Sequence, residues 1–168
     1  ERAALGWKAF AEMAGRLPWR VLPEISGAGH FFDLASHQLD YLDFLFGPVA
    51  RVSSLAINQG GHYRAEDFVS ASFLFENNIV ATGIWSFSAS REANRDTFEI
   101  IGDKGIISTS TFTYEPVRVS NSNGTRAYEN EKPANIQYYL IEQIVNALSG
   151  KGDGSVVSTV PQAPRRHS

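Results

Sequence analysis

Residues 68–88 read Phe68-Val69-Ser70-Ala71-Ser72-Phe73-Leu74-Phe75-Glu76-Asn77-Asn78-Ile79-Val80-Ala81-Thr82-Gly83-Ile84-Trp85-Ser86-Phe87-Ser88. In an extended chain Val69, Ala71, Phe73 and Phe75 fall on one side and Ser70 and Ser72 on the other, the period of a half-buried strand. Asn77-Asn78 supplies residues that tolerate positive φ, after which Ala81, Gly83, Trp85 and Phe87 resume the alternation. Phe68 to Glu76 and Ile79 to Ser88 are therefore predicted to be antiparallel neighbours.

The same pattern recurs on either side. Asp96 to Gly102 and Gly105 to Phe112 flank Asp103-Lys104, and Pro116 to Ser120 and Thr125 to Asn130 flank Asn121-Ser122-Asn123-Gly124. Upstream, Arg51 to Asn58 is β-rich and leads into a loop, residues 59–67, that contains Gly60-Gly61. Local connections of this kind predict an α+β fold with a mainly antiparallel open sheet of about six or seven strands and helices packed on one face.

Three helices are predicted around that sheet. Ala3, Ala4, Trp7, Phe10, Ala11, Ala14 and Leu17 recur at intervals of three and four over Arg2 to Arg16, with Pro18 placed to stop them. Phe31 to Phe46 has no glycine or proline and closes on Gly47-Pro48. Ile136, Tyr139, Leu140, Ile144, Ala147 and Leu148 mark the last, with Asn135 as its N-cap and Gly150 at C′. Residues 1–150 thus form one domain and 151–168 a loose tail of Gly, Ser, Pro and Arg.

Composition narrows the function. The 168 residues are 43% hydrophobic and 20% charged, as in an ordinary globular domain. A net charge of −3 offers no basic field for nucleic acid, and no apolar run or polybasic stretch suits a membrane. The chain has no cysteine, which removes disulfides, thiolate zinc sites and cysteine nucleophiles, and fits a cytoplasmic location. It opens on Glu1-Arg2 without Met or a signal-peptide pattern, and reads as a fragment.

Titratable groups concentrate in Gly27-Ala28-Gly29-His30-Phe31-Phe32-Asp33-Leu34-Ala35-Ser36-His37-Gln38-Leu39-Asp40. At about 100° per residue, His30, Asp33, Ser36, His37 and Asp40 share one arc, opposite Phe31, Leu34, Ala35, Leu42, Leu45 and Phe46. The aromatic residues Tyr41 and Phe44 predict that the later turns are buried nearly all round, so that the polar first half faces a cleft. Asp33 and His37 stand four residues apart and can act together in acid-base chemistry on a hydroxyl or carbonyl. A solvated helix face and a metal site are the alternatives; two turns between His30 and His37, about 10.5 Å of rise, are too far for one ion on a regular helix, so no metal is expected. No Gly-x-Gly-x-x-Gly turn follows a strand, and no Gly-x-Ser-x-Gly elbow is present.

Taken in order, Trp19-Arg20, Ser26-Gly27-Ala28-Gly29, Asp33-x-x-x-His37-x-x-Asp40, Leu45-Phe46-Gly47, Asn58-Gln59-Gly60-Gly61-x-Tyr63-x-Ala65-Glu66-Asp67 and Phe98 to Gly105 resemble the C-terminal domain of the Gfo/Idh/MocA oxidoreductases, the group of glucose-fructose oxidoreductase and myo-inositol dehydrogenase. The resemblance runs from about Leu17 to Gly150. It implies a glyceraldehyde-3-phosphate dehydrogenase-like C-terminal fold that binds a sugar or polyol substrate and forms a homodimer or tetramer through its sheet. It further implies an oxidoreductase of the CH-OH type whose NAD or NADP is held by an N-terminal Rossmann domain absent from this chain. On that resemblance His37 exchanges the substrate proton and Asp33 is its polar partner, which also contacts the substrate. Arg20, His30 and Tyr63 are further candidates for substrate binding, with a surface ion pair the alternative for Arg20. The chain alone is then expected to be inactive; the alternative is a non-catalytic sugar-binding or dimerisation module.

Two features depart from the family pattern or imitate it. Ala28 replaces the middle of the family's triple glycine, which an alanine can do if its φ is negative. Glu131-Lys132-Pro133 reproduces a signature that belongs to the nucleotide domain, but it follows the Asp-x-x-x-His helix instead of preceding it. Lys132 is read as a surface charge.

Overall fold

The computed structural model describes residues 17–129 and 131–151. The helix predicted over Arg2 to Arg16 and the tail beyond Lys151 lie outside the described residues. The chain divides between Arg95 and Asp96 into two compact units.

In the first unit a 3-10 turn at Trp19–Val21 and a single helical turn, α1 (Pro23–Ser26), precede the long helix α2 (His30–Phe46). Gly27 (φ 84°) ends α1, and Gly47 (φ 78°) ends α2 with its N–H donating to Asp43 O at 2.7 Å; both glycines hold a positive φ that side chains disfavour. Three strands follow, β1 (Val49–Ile57), β2 (Phe68–Phe75) and β3 (Val80–Ser86), antiparallel in the order β1-β2-β3.

The predicted hairpin forms where expected. Asn78 takes φ 68° at the β2–β3 turn, Phe75 and Ile79 bond across it at 2.9 Å, and Asn77 donates from its amide to Phe46 O, tying the turn to the end of α2. Val69, Ala71, Phe73 and Phe75 are buried on one face of β2. Leu39, Leu42 and Phe46 of α2 pack on that face, with Ala81 and Trp85 beside them. Position 83 requires glycine because the Trp85 ring lies over it; a Cβ there would come within 2.2 Å of the ring. The indole N–H donates to Gln38 Oε1, so the helix is fixed to the sheet by a polar bond as well as by apolar area.

The later turns of α2 are not buried all round. Tyr41 is 44% and Phe44 61% exposed, because a three-stranded sheet reaches only the arc carrying Leu39, Leu42 and Phe46. Every residue of β1 is exposed as well.

The second unit holds β4 (Phe98–Gly102), β5 (Gly105–Thr109), β6 (Val117–Asn121) and β7 (Gly124–Tyr128), an antiparallel sheet in that order, and α3 (Tyr138–Leu148). The seven strands among the described residues all pair antiparallel, yet they form two sheets where one was expected. Between β3 and β4 the chain has no tight turn; residues 87–97 carry a 3-10 turn, Arg91–Ala93, which interrupts the ladder. α3 begins later than its apolar spacing suggested: Asn135 Oδ1 accepts the Gln137 N–H, and Asn135 O the Tyr138 N–H. Gly150 turns the chain out of α3 at φ 64°. Among the described residues no helix is long and apolar enough to cross a membrane.

Candidate functional site

The junction before α2 dictates where the polar residues stand. Ser26 Oγ bonds to Ala28 O at 2.6 Å, bracing the Gly27 turn. Gly29 is buried, and a Cβ on it would lie 2.7 Å from Ala65 Cβ and 3.0 Å from Glu66 O. The first and third positions of Gly27-Ala28-Gly29 thus require glycine, one for its φ and the other for space. Ala28 is not among the residues with positive φ, so the middle position accepts a methyl group.

That close approach brings the loop between β1 and β2 against the first turn of α2. The His30 ring meets Tyr63 edge-on at 5.9 Å and Phe87 at 5.6 Å. Burial lowers the His30 pKa below its ordinary value; the nearby Asp33 charge opposes the shift and the Arg20 charge adds to it. Burial, with the charges of Asp67 and Glu66, raises the Tyr63 phenol. Because folded His30 resists protonation, the unfolded chain binds the extra proton as pH falls below about 6.5, and stability falls with it. Denaturation midpoints measured through that range are expected to slope downward toward acid, and the slope is expected to shrink in His30→Gln; an unchanged slope would show that other groups carry it.

Asp33, in the first turn of α2 where the helix dipole favours a carboxylate, forms an ion pair with Arg20, Nε to Oδ2 at 2.7 Å. The guanidinium also lies 4.6 Å from the centre of the Trp19 ring. Both partners are partly exposed, so the pair orients more than it stabilises. His37, one turn beyond Asp33, is exposed on the arc turned away from the sheet, as is Asp40.

Of the residues singled out in the sequence, the structure gathers Arg20, His30, Asp33 and Tyr63 around the start of α2 and sets His37 next along the same helix. The Asp33 carboxylate is paired with Arg20. Phe87 and Asp67 also belong to this neighbourhood. Period-two spacing placed Phe87 on the helix side of the sheet, but its ring contact with His30 has no local signal. Among the described residues no group of three or more His, Asp or Glu side chains is arranged to hold a metal ion. In the second unit Lys132 is exposed, its ammonium 5.6 Å from the centre of the Tyr114 ring.

The described strands all pair antiparallel, with no parallel β-α-β crossover among them.

Two antiparallel sheets and the helices beside them define an α+β fold. The chain belongs to the GFO/IDH/MocA family: residues 2–108 match its C-terminal domain. It is 37% identical over 129 residues to Oxidoreductase P35 of Formosa agariphila, covering 76% of this chain and 38% of that protein. The chain therefore spans well under half the length of this curated relative. Among solved structures it is similar to aldose-aldose oxidoreductase from Caulobacter crescentus complexed with glycerol, with a TM-score of 0.65 and 20% identity over 80% of this chain and 42% of that one. It is also similar to levoglucosan dehydrogenase in complex with NADH, with a TM-score of 0.59 and 24% identity over 68% and 34% of the two chains. At these identities the structural likeness shows the fold.

Proposed function

We propose that this chain supplies the substrate-binding and proton-transferring half of a nicotinamide-dependent oxidoreductase acting on a hydroxyl or carbonyl of a sugar or cyclitol. The observation that carries the reading is the placement of Asp33 and His37 on the outward arc of α2, with Asp33 anchored by Arg20, in a domain of this family. NAD or NADP, when bound, supplies the carbon that takes the hydride, and its site is assigned to the part of the relatives that this chain does not span.

In the oxidising direction the His37 imidazole takes the hydroxyl proton while the C–H hydrogen leaves as hydride, so that one C=O bond replaces the O–H and C–H bonds. Asp33 orients the reacting hydroxyl and is itself oriented by Arg20. His30 and Tyr63 form the wall against which the carbon skeleton packs. The test is reduction of NAD or NADP by the complete polypeptide in the presence of a panel of aldoses, polyols and cyclitols. Substrate-dependent reduction is expected, and no reduction with any member of the panel would sink the proposal.

Self-association through the first sheet is part of the same reading. Leu55, Ser70 and Ile84 lie side by side across the three strands, on the face away from α2; Leu55 is 58% and Ile84 72% exposed. Covering this face with a second copy would bury apolar side chains that otherwise meet water. A strictly monomeric species in analytical ultracentrifugation would remove this element and leave the site untouched.

A further inference from the structure

Asp67 is fully buried, and the proton transfer outlined above makes no use of it. Its two carboxylate oxygens accept separate backbone donors, Oδ1 from Gln59 N–H at 2.6 Å and Oδ2 from Gly60 N–H at 2.7 Å. Its own N–H donates to Ile57 O at 3.1 Å, and its carbonyl accepts the Phe87 N–H at 2.8 Å. One residue thus joins the end of β1, the loop after it and the chain leaving β3. Asn58 completes the loop, donating to Tyr63 O and Ala65 O and accepting the Gly61 N–H. A Cβ on Gly60 would fall 2.7 Å from Asp67 Oδ2 and 2.6 Å from Ser88 Cβ, so the loop closes directly onto the carboxylate.

Both rings that flank His30 depend on these bonds. Phe87 is bonded to Asp67 through the backbone, and Tyr63 sits in the loop whose first two amides Asp67 holds. We propose that Asp67 is a positioning residue for the substrate wall: its carboxylate fixes the loop of residues 58–67 so that Tyr63 and Phe87 clasp the His30 ring. The substrate part of this inference rests on the oxidoreductase reading, whereas the clasp itself can be measured without turnover.

The test uses the complete polypeptide with Asp67→Asn and, separately, Gly60→Ala. Asparagine keeps the shape but offers one acceptor oxygen where two donors converge, and it turns an NH2 toward one of them. Gly60→Ala keeps the carboxylate and forces the loop off it. Both variants are expected to speed amide hydrogen exchange in the peptide spanning residues 58–67 by at least about tenfold, with β2 and β3 unchanged. In both, the His30 pKa, followed through exchange at its ring carbon, is expected to rise toward the ordinary 6.5 as burial is lost, while Asp33 and Arg20, the charged groups facing it, stay in place. In turnover, KM is expected to rise about tenfold with kcat held within about threefold.

Unchanged loop exchange and an unchanged His30 titration overturn the proposal whatever the activity. Faster exchange throughout β2 and β3 also overturns it, because Asp67 would then be a general support of the fold. If the wild type turns over no member of the substrate panel while loop and His30 respond as described, the oxidoreductase reading falls and the clasp stands.

Discussion

Replacing His37 by Ala is expected to lower kcat of the complete polypeptide by about 10²- to 10⁴-fold, the usual contribution of a positioned acid-base group. KM should change far less, because the ring contact of His30 with Tyr63, the wall proposed above, and the Arg20–Asp33 pair are untouched. His37 is exposed on a long helix, and alanine is a good helix former, so the fold should survive the change. Steady-state kinetics beside a thermal melt checks both halves of the statement. A variant with wild-type kcat would remove His37 from the chemistry, and one that melts early would make its kinetics uninformative. Asp33→Asn is the sharper companion, since it keeps the side chain's size while removing the charge that Arg20 holds at 2.7 Å.

The second large effect is on stability. Phe75 is 1% exposed at the end of β2, in the cluster with Ala71, Phe73, Leu39 and Leu42, and meets Phe46 of α2 at 5.5 Å. Phe75→Ala is expected to cost about 3–5 kcal/mol, because it removes a large ring where helix and sheet leave little room to collapse. Phe44, 61% exposed on the same helix, is the control: Phe44→Ala should shift the stability of this chain by about 0.5 kcal/mol or less. Urea denaturation followed by circular dichroism reads both, and equal losses would show that the core does not lie on the arc of α2 assigned to it.

Local signals proved legible. The alternation of residues 68–75, the Asn77-Asn78 turn and the Gly47 stop each became an element within a residue or two of expectation, because each depends on neighbours in the chain. Gly27 and Gly29 could be singled out from sequence, but the reason for the second could not: the obstacle is Ala65, remote in the chain. The same holds for the site. Helical spacing placed Asp33 and His37 on one arc, whereas the bond from Asp33 to Arg20 and the ring contacts of His30 with Tyr63 and Phe87 are tertiary facts with no periodic trace. Asn58 and Asp67, short acceptors on either side of Gly60-Gly61, had the composition of a loop clamp, and only the structure shows what they bind. Division into two sheets was illegible for the opposite reason: residues 87–97 lack the turn signal that would carry one ladder into the next, and a missing signal does not say where the following strand goes.

The most direct measurement follows a label. The complete polypeptide is given NAD or NADP and a polyol or aldose deuterated at the carbon that bears the reacting hydroxyl, and the nicotinamide is analysed by mass spectrometry for wild type and His37→Ala. Deuterium is expected in the reduced nicotinamide of the wild type, appearing at least about 10²-fold more slowly in the variant. A wild type that transfers no label from any substrate tried, or a variant that transfers it equally fast, would contradict the assignment of this chain as the substrate and proton half of the enzyme.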